Sequence, residues 1–215
     1  MRPNIRPKKK GNFAFIDSQN LNVGVQKFGW KMDWAKFRKF LADNYNVTKA
    51  FMFIGYVPEF ESMYEQLHNA GYMIVLKPTF DMTRPRPEDN KASADAAKPQ
   101  KNNLGLTEAN AEKKDDEEKK TKGNVDADLV LWVMKEIKSY DKAVIVSGDG
   151  DFYSLVEYLD DEKKLLKLLT PNPFYSSLYN KYDAYIERLD TYKRQLAYHD
   201  FKRRQKSKPT SKRAT

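Results

Sequence analysis

Asp149 and Asp151 stand one residue apart in Ser147-Gly148-Asp149-Gly150-Asp151, directly after the apolar run from Ala143 to Val146. Such a run reads as a fully buried strand. Both carboxylates therefore fall where a strand leaves the core. The flanking glycines are expected to let the backbone turn sharply and leave room for a ligand. Asp17 closes a second strand-like run, Phe13-Ala14-Phe15-Ile16-Asp17, and Asp126 opens an amphipathic helical pattern over residues 125–138. Parallel α/β sheets bind ligands beyond the carboxyl ends of their strands. If the two strands are neighbours where the strand order reverses, four carboxylates meet at one edge. Two carboxylates about 4 Å apart repel by roughly 4 kcal/mol at an effective dielectric near 20, so four need a compensating cation. An all-oxygen set with no His or Cys suits Mg²⁺ or Mn²⁺ rather than zinc. A cation so held lowers the pKa of a bound water and neutralises charge on a phosphodiester.

Within that chemistry the roles divide. Asp17 and Asp149 are the first-choice direct ligands. Asp126 and Asp151 bind the metal directly or through water, or one of them serves as general base. Asn20 can hydrogen-bond the strand-end turn and a scissile phosphate or metal-bound water. Ser147 can cap the loop or hold a phosphate oxygen, and Lys122 can meet a phosphate. Plainer roles compete. An aspartate at a strand end is commonly a turn former or helix cap, and Asp126 also complements a helix dipole. Asp128, about 200° around the helix from Asp126, reads as a solvated charge. Tyr56, Phe80 and Tyr175 follow strand ends and are candidates for stacking on bases, although such aromatics usually pack. His68 and His199 carry no metal-ligand pattern and no role. No glycine-rich phosphate-binding motif is present, which counts against dinucleotide and P-loop readings. A phosphotransfer reading with Asp17 as nucleophile wants an acid where Gln19 stands.

The elements that must position these groups alternate. Strands are expected over 13–17, 47–56 and 72–76. Between the first two, Ser18 to Asn20 reads as a polar turn and a helix starts near Asp33; Pro58 and Glu59 open another helix that Gly71 stops. After the strand over 143–146, a helix runs on from Phe152 with Phe152, Leu155, Val156 and Leu159 on one face. A further strand, 164–169, a short helix over 175–182, a small edge strand near Tyr185-Ile186 and a terminal helix over 190–199 follow. Strand–helix alternation of this kind argues for a parallel sheet with helices on both faces. Residues 81–122 break the pattern with three prolines and almost no apolar side chains toward their end; they cannot repay their ordering entropy and read as a disordered or weakly helical insertion.

The chain has 215 residues and a net charge of +9. Five basic residues and no acid occupy 1–10; seven and no acid occupy 201–215. Those twelve leave 27 basic against 30 acidic residues elsewhere, so a slightly acidic body carries two basic tails. Basic arms point to a polyanion, most simply nucleic acid. There is no cysteine, which fits a reducing, cytoplasmic setting. No membrane association is expected, because no apolar run is long enough to span and no signal peptide is recognisable. The domain plan is a basic tail over 1–11, one domain over 12–190 interrupted by 81–122, and a terminal helix with a basic tail over 191–215.

Three blocks together, Phe15-Ile16-Asp17-Ser18-Gln19-Asn20-Leu21, Lys122-Gly123-Asn124-Val125-Asp126 and Ser147-Gly148-Asp149-Gly150-Asp151-Phe152, resemble the signature of NYN-domain proteins of the LabA group, within the PIN-like nuclease superfamily. The resemblance spans about residues 12–190. It implies a PIN-like three-layer α/β/α fold with a central parallel sheet in the order 3-2-1-4-5. It also implies a metal-dependent ribonuclease site of Asp17, Asp126, Asp149 and Asp151 with Asn20 beside it, RNA as substrate or ligand, and Mg²⁺ or Mn²⁺ as cofactor. An RNA-binding regulatory adaptor that does not cut is the alternative, and a homo-oligomer is compatible with either.

Overall fold

The computed structural model describes residues 10–78 and 125–199. The expectations for the N-terminal tail, the 81–122 insertion, Lys122, Phe80 and the basic C-terminal tail lie outside those residues. Strands β1 (Asn12–Asp17), β2 (Val47–Tyr56), β3 (Tyr72–Pro78), β4 (Ala143–Val146), β5 (Leu165–Thr170) and β6 (Ile186–Arg188) form one six-stranded sheet. Its order is β3-β2-β1-β4-β5-β6, and every pairing is parallel. The expected order is met and extended by one strand. The sheet starts in the middle, at β1, and winds outward both ways. The order thus reverses between β1 and β4, which places a crevice beyond their carboxyl ends.

Alternation across the pleat sorts the core into two layers. Ala14, Ile16, Ala50, Met52, Val144 and Val146 pack on one face. Against them lie α1 (Ser18–Lys27), α2 (Trp34–Tyr45) and α3 (Glu61–Asn69), through Leu21, Phe37, Leu41 and Leu67. Phe13, Phe15, Phe51, Phe53, Ala143 and Ile145 pack on the other. That aromatic face is covered by α4 (Val125–Lys135) and α5 (Tyr153–Asp161), through Leu129, Val133, Leu155, Val156 and Leu159. Phe15 stacks on Phe51 at 5.4 Å between ring centroids and meets Tyr140 edge-on. A short helix, α6 (Lys193–Leu196), ends the described chain. Among the described residues no helix is long and apolar enough to cross a membrane.

Five local expectations are corrected. Residues 18–20 are the first turn of α1 rather than a free turn, because Asp17 caps the helix by accepting from the Asn20 N–H. The 175–182 helix is instead 3₁₀ structure over Ser177–Tyr185, and the single terminal helix splits into a 3₁₀ turn, Leu189–Tyr192, and α6. Asp128 is not a free solvated charge: it meets Lys77 at 3.0 Å, tying α4 to β3. Finally, neither Gly148 nor Gly150 has a positive φ. A Cβ at Gly150 would lie 2.5 Å from Ser176 Oγ. The glycine there admits the segment after β5 rather than a ligand.

Candidate functional site

Sheet parity and register assemble the centre. Ile16 is level with Val146 across β1 and β4, so Asp17 and Ser147 occupy the next rung. Both are odd-numbered, like Phe13, Phe15 and Ile145, and so belong to the face that α4 covers. Asp126, in the first turn of α4, thus approaches from above the same rung.

The hydrogen bonds follow from that placement. Asp17 is 6 % exposed. Its Oδ1 accepts from Asn20 N at 3.0 Å, and its Oδ2 accepts from the fully buried Ser147 hydroxyl at 3.2 Å. The same Ser147 oxygen accepts from Asp149 N at 3.1 Å, so one hydroxyl joins the two strand ends. Asn20 Oδ1 accepts from Gly148 N at 2.9 Å, fastening α1 to the acidic loop. Asp149 caps a 3₁₀ turn over Gly150–Phe152 by accepting from Asp151 N at 3.1 Å. Its other oxygen, Oδ2, receives no hydrogen bond among the described residues. The Tyr179 hydroxyl donates to the Asp149 carbonyl and holds that turn from beneath.

Burial pushes the Asp17 carboxyl up to about 6, against a normal value of 3.8. The bonds from Asn20 and Ser147 act the other way, and the charges of Asp126 and Asp149 add to the rise. Those two carboxylates are therefore the neighbours whose fields reach Asp17. Asp151 is exposed and acts on the Tyr179 hydroxyl instead. Hydrogen bonds thus link Asp17, Asn20, Ser147 and the loop of Asp149, the charge of Asp126 reaches Asp17, and Asp151 stays exposed. Among the described residues no three acidic or histidine side chains stand close enough to form a ready metal-binding group.

The donor set nonetheless fits a hard divalent cation. It is all oxygen, it is partly withdrawn from water, and its buried member is held up in pKa first by burial and then by two like charges, which a cation would offset.

Three participants were not singled out from sequence. Tyr179 sits in what reads as an ordinary helical segment. Asn172 is buried after β5; it donates to the Gly24 carbonyl at 3.1 Å and accepts from Phe174 N at 2.8 Å. Phe174 is 84 % exposed. The Pro171-Asn172-Pro173 run was legible as a rigid turn, and an exposed aromatic after it was the available signal. Of the proposed stacking residues, Tyr56 bonds Glu61 and lies by Tyr64, while Tyr175 packs partly buried on the aromatic layer.

The NYN domain family model matches residues 13–190. The "Low amplitude and bright protein LabA" of Synechococcus elongatus is 25% identical over 180 residues, covering 80% of this chain and 81% of that protein. A Vibrio parahaemolyticus protein of unknown function has a crystal structure that superposes with a TM-score of 0.57 at 18% identity, across 90% of this chain and 100% of that one. This last likeness is one of fold.

Proposed function

This chain belongs to the NYN domain family, and on that premise we propose that it is an Mg²⁺- or Mn²⁺-dependent endoribonuclease. The family is PIN-like and generally nucleolytic. The observation that carries the reading is Asp17: a buried carboxylate raised to about 6, with Asp126 and Asp149 acting on it, at the point where the strand order reverses.

Asp17 and Asp149, with Asp126 beside them, would hold the cation. When bound, it supplies charge neutralisation at the phosphodiester and a water of lowered pKa. Ser147 keeps the Asp17 Oδ2 fixed in direction, and Asn20 keeps the acidic loop at a set distance from α1. In hydrolysis a water oxygen bonds to phosphorus, a P–O ester bond breaks, and the departing ribose oxygen takes a proton. Asp151, exposed at the rim, or Asp126 would serve as the base that accepts the attacking water's proton and returns it to the departing oxygen. Lys122, outside the described residues, remains a candidate phosphate contact on sequence alone.

The test is RNA cleavage with Mn²⁺ by wild type and by Asp149→Asn, each with an EDTA control. Cleavage by wild type that EDTA stops, and that the variant loses by at least a hundredfold, is expected; effects of that size are usual for a group acting in the transition state. Equal cleavage by both proteins, or none with RNA still bound, overturns the nuclease and leaves an RNA-binding adaptor.

A further inference from the structure

We propose that the cleft beside the acidic centre is a subsite for one unpaired nucleobase and its phosphate, which makes single-stranded RNA the preferred ligand. The cleft has a volume of about 510 Å³ and is lined by Asn20, Lys27, Phe28, Gly148, Asn172 and Phe174, among others. Asn20 and Gly148 bond each other at the acidic loop, so the cleft opens directly from the proposed reaction centre.

Its far wall is aromatic. Phe174 is the most exposed large apolar side chain among the described residues, at 84 %. Its ring lies 5.8 Å from Phe28 at 45°. This exposure belongs to a fixed loop. Asn172 clamps the loop from both sides, to Gly24 and to Phe174 N, and Pro171 is so close to α1 that a Cβ on Gly24 would lie 2.4 Å from the proline Cβ. A rigidly held, solvent-facing phenyl ring costs hydrophobic free energy unless something covers it. The chemistry nearby states what would. Lys27, also in the lining, has no carboxylate partner among the described residues. An exposed ring beside an unpaired ammonium and a pair of amide side chains suits a base with its phosphate. A base inside a duplex has both faces covered by its neighbours and cannot offer one to Phe174.

The proposal rests on the RNA reading of the adjoining centre but not on cleavage. The experiment is fluorescence anisotropy of the full chain in EDTA, with a labelled single-stranded RNA and a blunt duplex containing the same strand. Phe174→Ala is expected to weaken single-strand binding roughly tenfold, as loss of a stacking partner does, with duplex binding unchanged. Phe174→Trp is expected to restore it. Lys27→Ala is expected to weaken binding and to reduce the single-strand salt slope by about 0.7. The subsite is overturned if Phe174→Ala binds single strands like wild type, if it weakens both ligands equally, or if the full chain binds no single strand. A Phe174-dependent affinity without Mn²⁺-stimulated cleavage keeps the subsite and removes the nuclease; cleavage indifferent to Phe174 does the reverse.

Discussion

Asp17 has both oxygens committed inside the protein, to Asn20 N and to Ser147 Oγ, yet its carboxyl still sits near 6 rather than 3.8. Two hydrogen bonds do not outweigh burial and two neighbouring negative charges. The folded state therefore holds this proton more tightly than the unfolded chain does. Between about pH 4 and pH 6 the folded form binds more protons at this site, so its contribution to stability falls as pH rises through that window and is flat above it. Asp17→Asn removes the charge and keeps an acceptor for Asn20 N. In EDTA at pH 7.5 the variant is expected to be more stable than wild type by up to about 3 kcal/mol. The advantage should vanish toward pH 4, and cleavage should be lost at every pH. Thermal unfolding of both proteins across pH 4–8 checks it. A wild type as stable as the variant at pH 7.5 would mean that Asp17 is not strained. Ser147→Ala acts in the opposite sense. It withdraws a donor from Asp17 and leaves the Asp149 N–H without its acceptor, at a cost of about 1–3 kcal/mol. The acidic limb of the pH–rate profile is expected to move to higher pH, because Asp17 then ionises later.

At the scale of elements, α1 links the centre to the cleft, and Gly24 sets its seat. Gly24 is buried mid-helix, and the atoms a Cβ would strike belong to Pro171, a ring that cannot swing aside. Gly24→Ala is expected to destabilise by about 1–3 kcal/mol, the usual cost of overpacking, and to weaken single-strand RNA binding as the loop carrying Phe174 is displaced. Chemical denaturation paired with anisotropy measures both; a variant of wild-type stability would mean the helix moves without cost. The same helix shows where sequence reading runs out. Ser18 to Lys27 contains Ser, two Asn, two Val and a Gly, all poor helix formers, so local propensity argues for a turn. Tertiary contact decides otherwise: Leu21 and Val25 are fully buried four residues apart, and Asp17 caps the helix. That spacing was visible, but the cap and the interrupted helix could not be told from a turn without the sheet beneath. β1, β2 and β4 were legible because a parallel strand buried on both faces leaves an unbroken apolar run. Asp17 and Asp149 stood out because they end or follow such a run, and Asp126 because it begins a helix. Asn172, Tyr179 and Phe174 were not legible, since their roles depend on which loop lies beside the acidic turn, and only the closed sheet determines that.

The proposed function pairs an acidic centre with a polyanionic substrate, and charge distribution must reconcile them. Outside its two tails the chain carries three more acidic than basic residues, and the charges of Asp126 and Asp149 act on Asp17 at the end of β1. On the proposed reading, attraction would come from a cation bound at the centre, from Lys27 in the adjoining cleft, and from the tails, whose twelve basic residues have no acid in their own segments. These sources are separable by salt. Each phosphate neutralised adds about 0.7 to the log–log salt slope on single strands. A chain ending at residue 200 loses seven basic residues, and its slope is expected to fall by up to about 5 if every one meets a phosphate. Cleavage at saturating RNA should be unchanged, because nothing of the centre lies beyond Tyr179. Phe174→Ala should differ in kind, weakening affinity with almost no change in slope, since stacking displaces no counterions. Binding isotherms for wild type, the truncated chain and Phe174→Ala at several salt concentrations separate the three. A truncated chain with the wild-type slope would place the electrostatic attraction on the folded body instead, and Lys27 would be the first residue there to test.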